Sequence, residues 1–268
     1  MDLRDKRVVI TGGGSGIGLA LAQALGAKGA RLLLAGRRQG VVEEAAAALR
    51  ASGVDAHALS ADIAATDGRA ATLATARERL GGIDVLVNNA GGVRAGRLED
   101  MTEADIRAMV EVDLLAPILL TRAALPDLRR SGEGLVVNVT GGSAFFGMPF
   151  YAAYSATKAG LARFGEALRR ETMGEGLHVL TVYPAATDTP MLATNEAGPE
   201  LGFDKEPASA VADAVVAGIE AGALEVVRGG EARTRMAALN RDDPAALDAR
   251  FLALKPALEA AVRNHNAL

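Results

Sequence analysis

The sequence predicts an α/β protein built on one doubly wound parallel sheet of about seven strands, with helices on both faces. Three observations lead to this fold class. Short apolar runs alternate with longer Ala-rich stretches that have helical spacing. The short runs are apolar at consecutive positions, as expected for strands buried on both faces. Half of the 268 residues are hydrophobic, which is enough for the core of a single α/β domain spanning 1–268.

The elements follow one another in β-then-α order. We predict strands over 7–10, 31–35, 55–59, 85–88, 135–139, 179–183 and 224–227. We predict helices over 17–27, 41–51, 67–79, 102–129, 154–173 and 209–221. Two segments depart from the alternation. The stretch 185–207 follows the sixth strand on the ligand side of such a sheet, so we expect a substrate lid. In the tail over 242–268, Asp243-Pro244 predicts the start of a final helix over 245–265.

The composition excludes several classes of function. Cysteine is absent, which rules out disulfides, thiol nucleophiles and thiolate metal sites. The three histidines, His57, His178 and His265, lack the spacing of metal ligands, so we expect no metal. A net charge of −4 argues against general binding to nucleic acids or membrane surfaces. No apolar leader or membrane-spanning run is evident, which predicts a cytoplasmic protein that acts on a small molecule.

A glycine-rich run follows the first strand directly. It consists of Thr11, Gly12, Gly13, Gly14, Ser15, Gly16, Ile17 and Gly18. Glycines permit a tight turn and a close approach of the backbone to a ligand, and the free N–H groups at the start of a helix favour a phosphate. A bare glycine-rich turn is common in proteins. Because this one has a strand before it and a helix after it, we interpret it as a dinucleotide phosphate cradle.

Tyr154 and Lys158 lie four residues apart in the fifth predicted helix. This spacing places the phenol and the ammonium on one helical face. A tyrosine ordinarily titrates near ~10 and is a poor acid/base at neutral pH unless a cation stabilises its phenolate. We therefore expect Lys158 to lower the pKa of Tyr154. With the phosphate cradle, the pair predicts hydride transfer at a nicotinamide, with the tyrosine moving the proton.

These motifs resemble those of the classical short-chain dehydrogenase/reductase family. The parts occur in the family's order: the Thr-Gly-x-x-x-Gly-Ile-Gly run, Asp62-Ile63, Asn88-Asn89-Ala90-Gly91, Tyr154-x-x-x-Lys158, and Pro184 to Thr189. The resemblance covers residues 5–230. It implies a Rossmann fold and an oxidoreductase acting on carbonyl or alcohol groups. It also implies a homodimer or homotetramer assembled through the fourth and fifth helices.

The resemblance further implies which residues bind the cofactor. Beyond the cradle they are Asp62, Ile63, Asn89, Ala90, Gly91, Tyr154, Lys158, Pro184, Thr187 and Thr189. In such enzymes Asp62 accepts from the adenine amino group and Ile63 packs on the ring. The Asn89 segment lines the adenosine ribose and fixes the end of the fourth strand. Lys158 holds the nicotinamide ribose, and the two threonines reach the carboxamide.

The end of the second strand indicates which dinucleotide binds. NAD enzymes of this type place an acidic residue there to hold the ribose hydroxyls, whereas this chain has Gly36, followed by Arg37 and Arg38. Glycine leaves room for a 2′-phosphate, and the arginines supply positive charge. We predict NADP(H), with Arg37 as the main phosphate contact and Arg38 as a weaker one. The alternative is that both arginines only begin the next helix in solvent.

Two positions depart from the family pattern. The family has a serine thirteen positions before the tyrosine, where this chain has Gly141. Ser143 has the same strand parity as Gly141 and is the candidate replacement, whereas Thr140 has the opposite parity. The family's asparagine in the fourth helix is Asp113 here. Aspartate keeps the backbone carbonyl that serves a proton relay, but its ionised side chain only accepts hydrogen bonds and favours a charged Lys158.

Aromatic residues are concentrated before and at the catalytic tyrosine. Five of the nine fall within ten positions: Phe145, Phe146, Phe150, Tyr151 and Tyr154. They predict either an apolar, aromatic-walled substrate pocket or packing under a loop or in a subunit interface. Arg94 and Arg97 either meet an acidic group of the substrate or lie in solvent.

The predicted function is NADP(H)-dependent interconversion of a ketone or aldehyde and an alcohol, with an apolar or aromatic substrate. Tyr154 is the predicted general acid/base, assisted by Lys158, Ser143 and Asp113. The alternative is a dinucleotide-binding protein with weakened or non-redox chemistry, because the usual serine and asparagine are replaced.

Overall fold

The computed structural model describes residues 1–268 and confirms the predicted fold class. The strands are β1 (Arg7–Thr11), β2 (Arg31–Gly36), β3 (Ala56–Ser60), β4 (Val85–Asn88), β5 (Gly134–Val139), β6 (Leu177–Tyr183), β7 (Thr187–Asp188), β8 (Glu206–Pro207) and β9 (Glu225–Val227). Seven of them form one parallel sheet in the order β3-β2-β1-β4-β5-β6-β9. Strand order reverses beside β1, and a ligand crevice opens at the carboxyl ends of the strands there.

Helices cover both faces of this sheet. They are α1 (Gly16–Ala27), α2 (Gln39–Ala51), α3 (Thr66–Leu80), α4 (Glu103–Val110), α5 (Ala116–Arg130), α6 (Ala152–Glu171), α7 (Ala208–Ala221), α8 (Gly230–Asp242) and α9 (Pro244–Val262). Helices α1, α2 and α7 pack on one face, and α3, α5 and α6 pack on the other. The architecture is therefore doubly wound, as predicted.

The central strands are apolar throughout because each contributes side chains to two hydrophobic cores, one on each face of the sheet. In β1, Val8 and Ile10 belong to the core under α1 and α7, whereas Val9 belongs to the core under α3 and α5. Val9 is in register with Leu33 of β2 and Leu86 of β4, which lie in the same core. All five side chains are completely buried. Burial of each contributes roughly 1.5–3 kcal/mol to stability.

The helix predicted over 102–129 is divided in the structure. A π-helical turn, Glu111–Leu115, separates α4 from α5. Such a turn holds one more residue than an α-helical turn and is frequent at functional sites. Asp113 lies in this turn, and its side chain is fully buried. One inserted residue hardly alters an apolar periodicity of 3.6, so the sequence predicted a continuous helix.

The C-terminal region is more helical than predicted. Helix α8 occupies a stretch for which no helix was predicted. It buries no residue and lacks a fully apolar stripe, so its sequence does not show the periodic pattern of an amphipathic helix. Helix α9 begins where the Asp243-Pro244 pair predicts, and the Asp243 side chain accepts a hydrogen bond from the backbone N–H of Ala246. The length and apolarity needed to cross a bilayer are not combined in any helix of the protein.

Candidate active site

The turn between β1 and α1 has a backbone that requires glycine. Gly12 and Gly16 have φ values of 65° and 53°, in the left-handed region that favours glycine. A Cβ atom on Gly18 would overlap the carbonyl oxygen of Gly12. Ser15 precedes α1 and forms no capping hydrogen bond through its side chain. The first N–H groups of the helix therefore receive no acceptor from that hydroxyl, which fits a phosphate at this end.

Asn89 holds the cradle in place. Its side-chain Nδ2 donates to the carbonyl oxygens of Thr11 and Gly12, at 2.9 and 3.3 Å. The Thr11 hydroxyl in turn accepts from the backbone N–H groups of Asn89 and Ala90. The sequence prediction that this segment fixes the end of β4 is consistent with these contacts. Its backbone, with Ala90 and Gly91, also lines the large cavity described below.

The far end of the cavity is formed by the carboxyl ends of β2 and β3. Arg37 and Arg38 are exposed there, and neither has a carboxylate within ion-pair distance. A Cβ atom on Gly36 would lie 2.9 Å from Cγ1 of Val42, so any side chain at position 36 requires Val42 to move. Two guanidinium groups without an ion-pair partner, beside a glycine at the end of β2, are compatible with a phosphorylated ribose. Asp62 and Ile63 also line this end.

Tyr154 and Lys158 share one face of α6, and both line the cavity. Nζ of Lys158 lies 5.5 Å from the centroid of the Tyr154 ring. The same Nζ lies 3.2 Å from Oδ1 of Asp113, in an almost completely buried ion pair. Oδ1 also accepts a hydrogen bond from the backbone N–H of Gly92, at 3.1 Å. A Cβ atom on Gly91 would lie 2.5 Å from this oxygen, so the glycine makes room for the aspartate.

The electrostatics of this group differ from the prediction. Burial raises the pKa of the Tyr154 phenol, the Lys158 ammonium opposes this shift, and the Asp113 carboxylate adds to it. Lys158 thus acts in the predicted direction, but the net pKa of Tyr154 is raised. Burial alone disfavours the Lys158 ammonium, yet the adjacent Asp113 makes its pKa rise. Burial also raises the pKa of Asp113, against the effect of Lys158.

The hydroxyl of Ser143 lies on the same side of the cavity as the Tyr154 phenol. A Cβ atom on Gly141 would lie 3.7 Å from Oγ of Ser143 and 3.8 Å from Oη of Tyr154. Ser143 Oγ is buried and has no hydrogen-bond partner in the protein. Thr140, by contrast, donates its hydroxyl hydrogen to the carbonyl oxygen of Val182 at 2.7 Å. The geometry fits Ser143 in the place of the missing serine, and its catalytic role stays a prediction.

The segment over 185–207 lies above the cradle. A Cβ atom on Gly16 would approach Cγ2 of Thr189 to 3.1 Å. The hydroxyls of Thr187 and Thr189 donate to the carbonyl oxygens of Ala185 and Thr187. Strands β7 and β8 pair at the two ends of this segment, which gives it a closed shape. The two threonines and Pro184 line the cavity; a lid function for this segment stays a prediction.

The aromatic cluster divides between the two predicted alternatives. Three of its members line the cavity: Phe146, Tyr151 and Tyr154. Phe145 lies against Tyr183 instead, with 4.3 Å between the ring centroids. Phe150 is buried under the loop in a small apolar cluster that includes residues of α9. The cluster therefore forms part of the cavity wall and part of the packing beneath it.

Tyr151 belongs to a buried polar group that sequence reasoning missed. Its Oη accepts from Nδ2 of Asn195 at 3.0 Å and lies 2.8 Å from Nδ1 of His265. Nε2 of His265 lies 3.0 Å from the carbonyl oxygen of Met191. Burial lowers the pKa of the His265 imidazole. The group ties the C-terminal tail to the segment 185–207; its members are far apart in the sequence, and no spacing signals them.

Arg94 and Arg97 lie outside the cavity. Arg97 forms an ion pair with Glu259 of α9, and Arg94 donates to the carbonyl oxygen of Arg263. Both arginines therefore fasten the C-terminal helix. Of the two predicted alternatives, solvent exposure describes Arg97, whereas Arg94 is half-buried.

The cradle, the end of β2 and the Tyr154–Lys158 pair border one cavity of about 1280 Å³. It extends from the cradle and the Arg37 end, past Tyr154 and Lys158, to side chains of α8 and α9. Pockets for single drug-sized ligands usually measure about 300–1,000 Å³. The cavity therefore has room for a dinucleotide and a substrate together.

Comparison with known proteins agrees with this geometry. The model of the short chain dehydrogenase family matches residues 6–200, which is more than half of the chain. The chain therefore belongs to the short-chain dehydrogenase family. Such a protein binds a nicotinamide dinucleotide and is an oxidoreductase of carbonyl or alcohol groups.

Individual relatives are reductases of acyl compounds. The ketoacyl reductase HetN of a Nostoc species is 34% identical over 227 residues, covering 84% of this chain and 79% of that protein. A fatty acyl-CoA reductase of Mycobacterium tuberculosis is 30% identical, with 80% of this chain and 72% of that protein covered. The crystal structure of a 3-ketoacyl-(acyl-carrier-protein) reductase from Brucella melitensis, complexed with NADH, superposes with a TM-score of 0.77. The two sequences are 26% identical, and the superposition covers 85% of this chain and 98% of the reductase chain.

Proposed function

We propose that the protein is an NADP(H)-dependent oxidoreductase that interconverts a ketone or aldehyde and an alcohol, on an apolar or aromatic substrate. One observation carries this proposal. Oγ of Ser143 and Oη of Tyr154 lie 3.7 and 3.8 Å from a common point in the cavity, the place of a Cβ atom on Gly141. Both hydroxyls therefore border one small space, and a carbonyl oxygen bound between them would accept a hydrogen bond from each.

The dinucleotide, when bound, supplies or accepts the hydride at the substrate carbon. In reduction, Tyr154 donates its phenolic proton to the carbonyl oxygen as negative charge develops there. Lys158 stabilises the resulting phenolate, and Ser143 donates a hydrogen bond to the same oxygen. In oxidation, the phenolate takes the proton of the alcohol. Asp113 keeps Lys158 protonated and oriented through the 3.2 Å ion pair.

The preference for NADP(H) over NAD(H) rests on the β2 end of the cavity. Arg37 and Arg38 are exposed beside Gly36 and have no protein carboxylate to neutralise them. A 2′-phosphate supplies that counter-charge, whereas an adenosine ribose with free hydroxyls does not. The Brucella melitensis reductase was crystallised with NADH, which makes NAD(H) the second candidate for this chain.

Replacing Arg37 with alanine should raise the dissociation constant of NADPH by about 10- to 100-fold, because a charge-assisted hydrogen bond to phosphate is lost. The constant for NADH should change little. Arg38→Ala should give the same pattern with a smaller effect. Fluorescence titration of the reduced cofactors measures all four constants. A wild-type protein that binds NADH as tightly as NADPH, or an equal loss for both cofactors, contradicts the proposal.

Replacing Ser143 with alanine should lower kcat/KM for carbonyl reduction by about 10- to 100-fold, since one donor to the reacting oxygen disappears. Ser155→Ala is a matched control. Ser155 is also buried with an unpartnered hydroxyl, but it does not line the cavity. Steady-state kinetics with NADPH and a panel of ketones provides the measurement. If both variants retain wild-type kcat/KM, Ser143 has no catalytic role.

One observation favours a second candidate, a dinucleotide-binding protein with weakened or non-redox chemistry. Asp113 pairs with Lys158, and the pKa of Tyr154 is raised mainly by burial. When its pKa is raised, less of the phenol is ionised at neutral pH, so less of the phenolate base is present for alcohol oxidation. Tight NADPH binding without any change of nicotinamide absorbance, across a broad panel of ketones, aldehydes and alcohols, distinguishes this candidate from the first.

We also propose a homodimer or homotetramer assembled through α4, α5 and α6. Val110 and Leu115 are more than one-third exposed on the α4–α5 side, which fits an apolar contact there. Sedimentation equilibrium tests this assembly, and a monomer at micromolar concentration contradicts it. The cytoplasmic location stays a prediction that cell fractionation tests.

A further inference from the structure

Arg233 is a charged side chain of the cavity that the proposed chemistry does not use. It projects from α8 beside the turn that carries Ser143, and a Cβ atom on Gly142 would lie 2.5 Å from its Cζ. In this position the guanidinium occupies the space that a side chain at residue 142 would take. Nη1 of Arg233 donates to the carbonyl oxygens of Tyr183 and Pro184, at 3.2 and 2.5 Å. These contacts fix the guanidinium next to the reaction centre.

The remaining edge of the guanidinium has no protein acceptor. An arginine has five N–H donors, and the two on Nη1 are the only ones of Arg233 that find partners. The other edge, Nε and Nη2, lies beside Gly229 and Gly142 and carries the pair of parallel N–H bonds that matches a carboxylate. Arg228 provides a comparison within the same cavity. Its Nε and Nη2 both donate to Oε2 of Glu206, at 3.0 and 2.5 Å.

The charges around Arg233 leave it without a counter-ion. Glu206 is the carboxylate whose charge acts on Arg233, but it forms its ion pair with Arg228. Lys205, Arg250 and Asp204 also line the cavity and are exposed, and none of them pairs with Arg233. Burial lowers the pKa of Arg233, although arginine stays protonated in proteins. A half-buried cation with a free edge and no acid of its own is suited to an anion.

We propose that Arg233 binds a carboxylate of the substrate, so that the preferred substrate is a keto acid with an apolar chain. This inference rests on the proposed function and specifies its substrate class. The guanidinium packs beside Gly142, which is adjacent to Gly141 of the proposed carbonyl site, so we expect the carboxylate a few bonds from the carbonyl. Apolar side chains take up the rest of the chain: Phe146, Met148, Met236, Phe251 and Leu254.

A matched pair of ligands tests the inference by binding alone. The probes are the γ-keto acid with a nine-carbon chain and its methyl ester, titrated calorimetrically into the protein saturated with NADP⁺, which cannot reduce them. The wild-type protein should bind the acid about 10- to 100-fold more tightly than the ester, as expected for a charge-assisted pair. Arg233→Met should lose this preference and bind the ester as before. Arg233→Lys keeps the positive charge but lacks the paired N–H donors of the guanidinium, so it should retain part of the preference.

Arg235→Met is the control variant. Arg235 lies on the same helix, is exposed, and pairs with Glu231, so its loss should leave both affinities unchanged. Equal binding of acid and ester by the wild type overturns the inference. An equal loss of acid, ester and NADP⁺ affinity in Arg233→Met, with Arg233→Lys restoring all three, also overturns it, because Arg233 then only supports the fold. Acid-selective binding without NADPH oxidation contradicts the proposed function but supports the carboxylate site.

Discussion

Replacing Tyr154 with phenylalanine should lower kcat for carbonyl reduction by about 10²- to 10⁴-fold, the usual contribution of a positioned general acid. The substitution removes one hydroxyl and keeps the ring. Tyr151 also lines the cavity, but its Oη accepts from Nδ2 of Asn195 and lies 2.8 Å from Nδ1 of His265. Single-turnover reduction of a ketone by bound NADPH isolates the chemical step from product release.

Two controls separate chemistry from structure in this experiment. The dissociation constant of NADPH should stay close to the wild-type value in Tyr154→Phe, since Lys158 and the cradle are unchanged. Tyr183→Phe removes a phenol whose ring lies against Phe145 and whose Oη donates to Glu225, away from the main cavity. Its kcat should remain within a few-fold of wild type. Unchanged turnover in Tyr154→Phe rules out Tyr154 as the acid/base.

The sheet could be predicted because its signal is local. A strand buried on both faces must be apolar at every position, and β1 shows this in Val8, Val9 and Ile10, which alternate between two cores. The cradle could be predicted for a similar reason. Its backbone has positive φ at Gly12 and Gly16. Because glycine is the residue that readily adopts positive φ, the glycines at these positions indicate the turn.

The features that the sequence did not reveal depend on contacts between distant segments. The inward position of Asp113 follows from a π-helical turn, and the space it needs comes from Gly91, on the loop after β4. Helix α8 buries no residue, yet it delivers Arg233 to the cavity. A surface helix with weak amphipathicity and a single inward side chain leaves no periodic pattern to read.

The pKa of Tyr154 also depends on contacts that the sequence does not reveal. The i, i+4 spacing of Tyr154 and Lys158 is visible in the sequence and favours a lowered pKa for the phenol. Burial and the Asp113 carboxylate both act in the opposite direction and prevail. Neither the depth of the site nor the position of Asp113 can be read from spacing. Residue type therefore indicated the candidate residues, whereas their pKa values depend on packing that the sequence does not show.

Replacing Asp113 with leucine should lower the free energy of unfolding by about 3–5 kcal/mol at neutral pH, because a buried ammonium loses its partner. In the wild-type protein the carboxylate lies 3.2 Å from Nζ of Lys158, and both side chains are almost completely inaccessible. Asp113→Asn is the matched variant. Its amide oxygen can still accept from Lys158 and from the backbone N–H of Gly92, so its loss should be smaller. Urea unfolding of the three proteins provides the free energies.

The pH dependence distinguishes an unpaired lysine from a simple packing defect. In the wild type, Asp113 raises the pKa of Lys158 above its ordinary value of 10.5, so this stabilisation is complete below that pH and is lost as pH rises through the folded pKa. In Asp113→Leu, burial is left as the dominant influence and depresses the pKa of Lys158. The unfolded chain then binds more protons than the folded one, and stability rises with pH up to about 10.5. The difference in free energy of unfolding between the wild type and Asp113→Leu should therefore shrink between neutral and alkaline pH. A difference that is constant over this range would show that Asp113 stabilises the fold by packing alone.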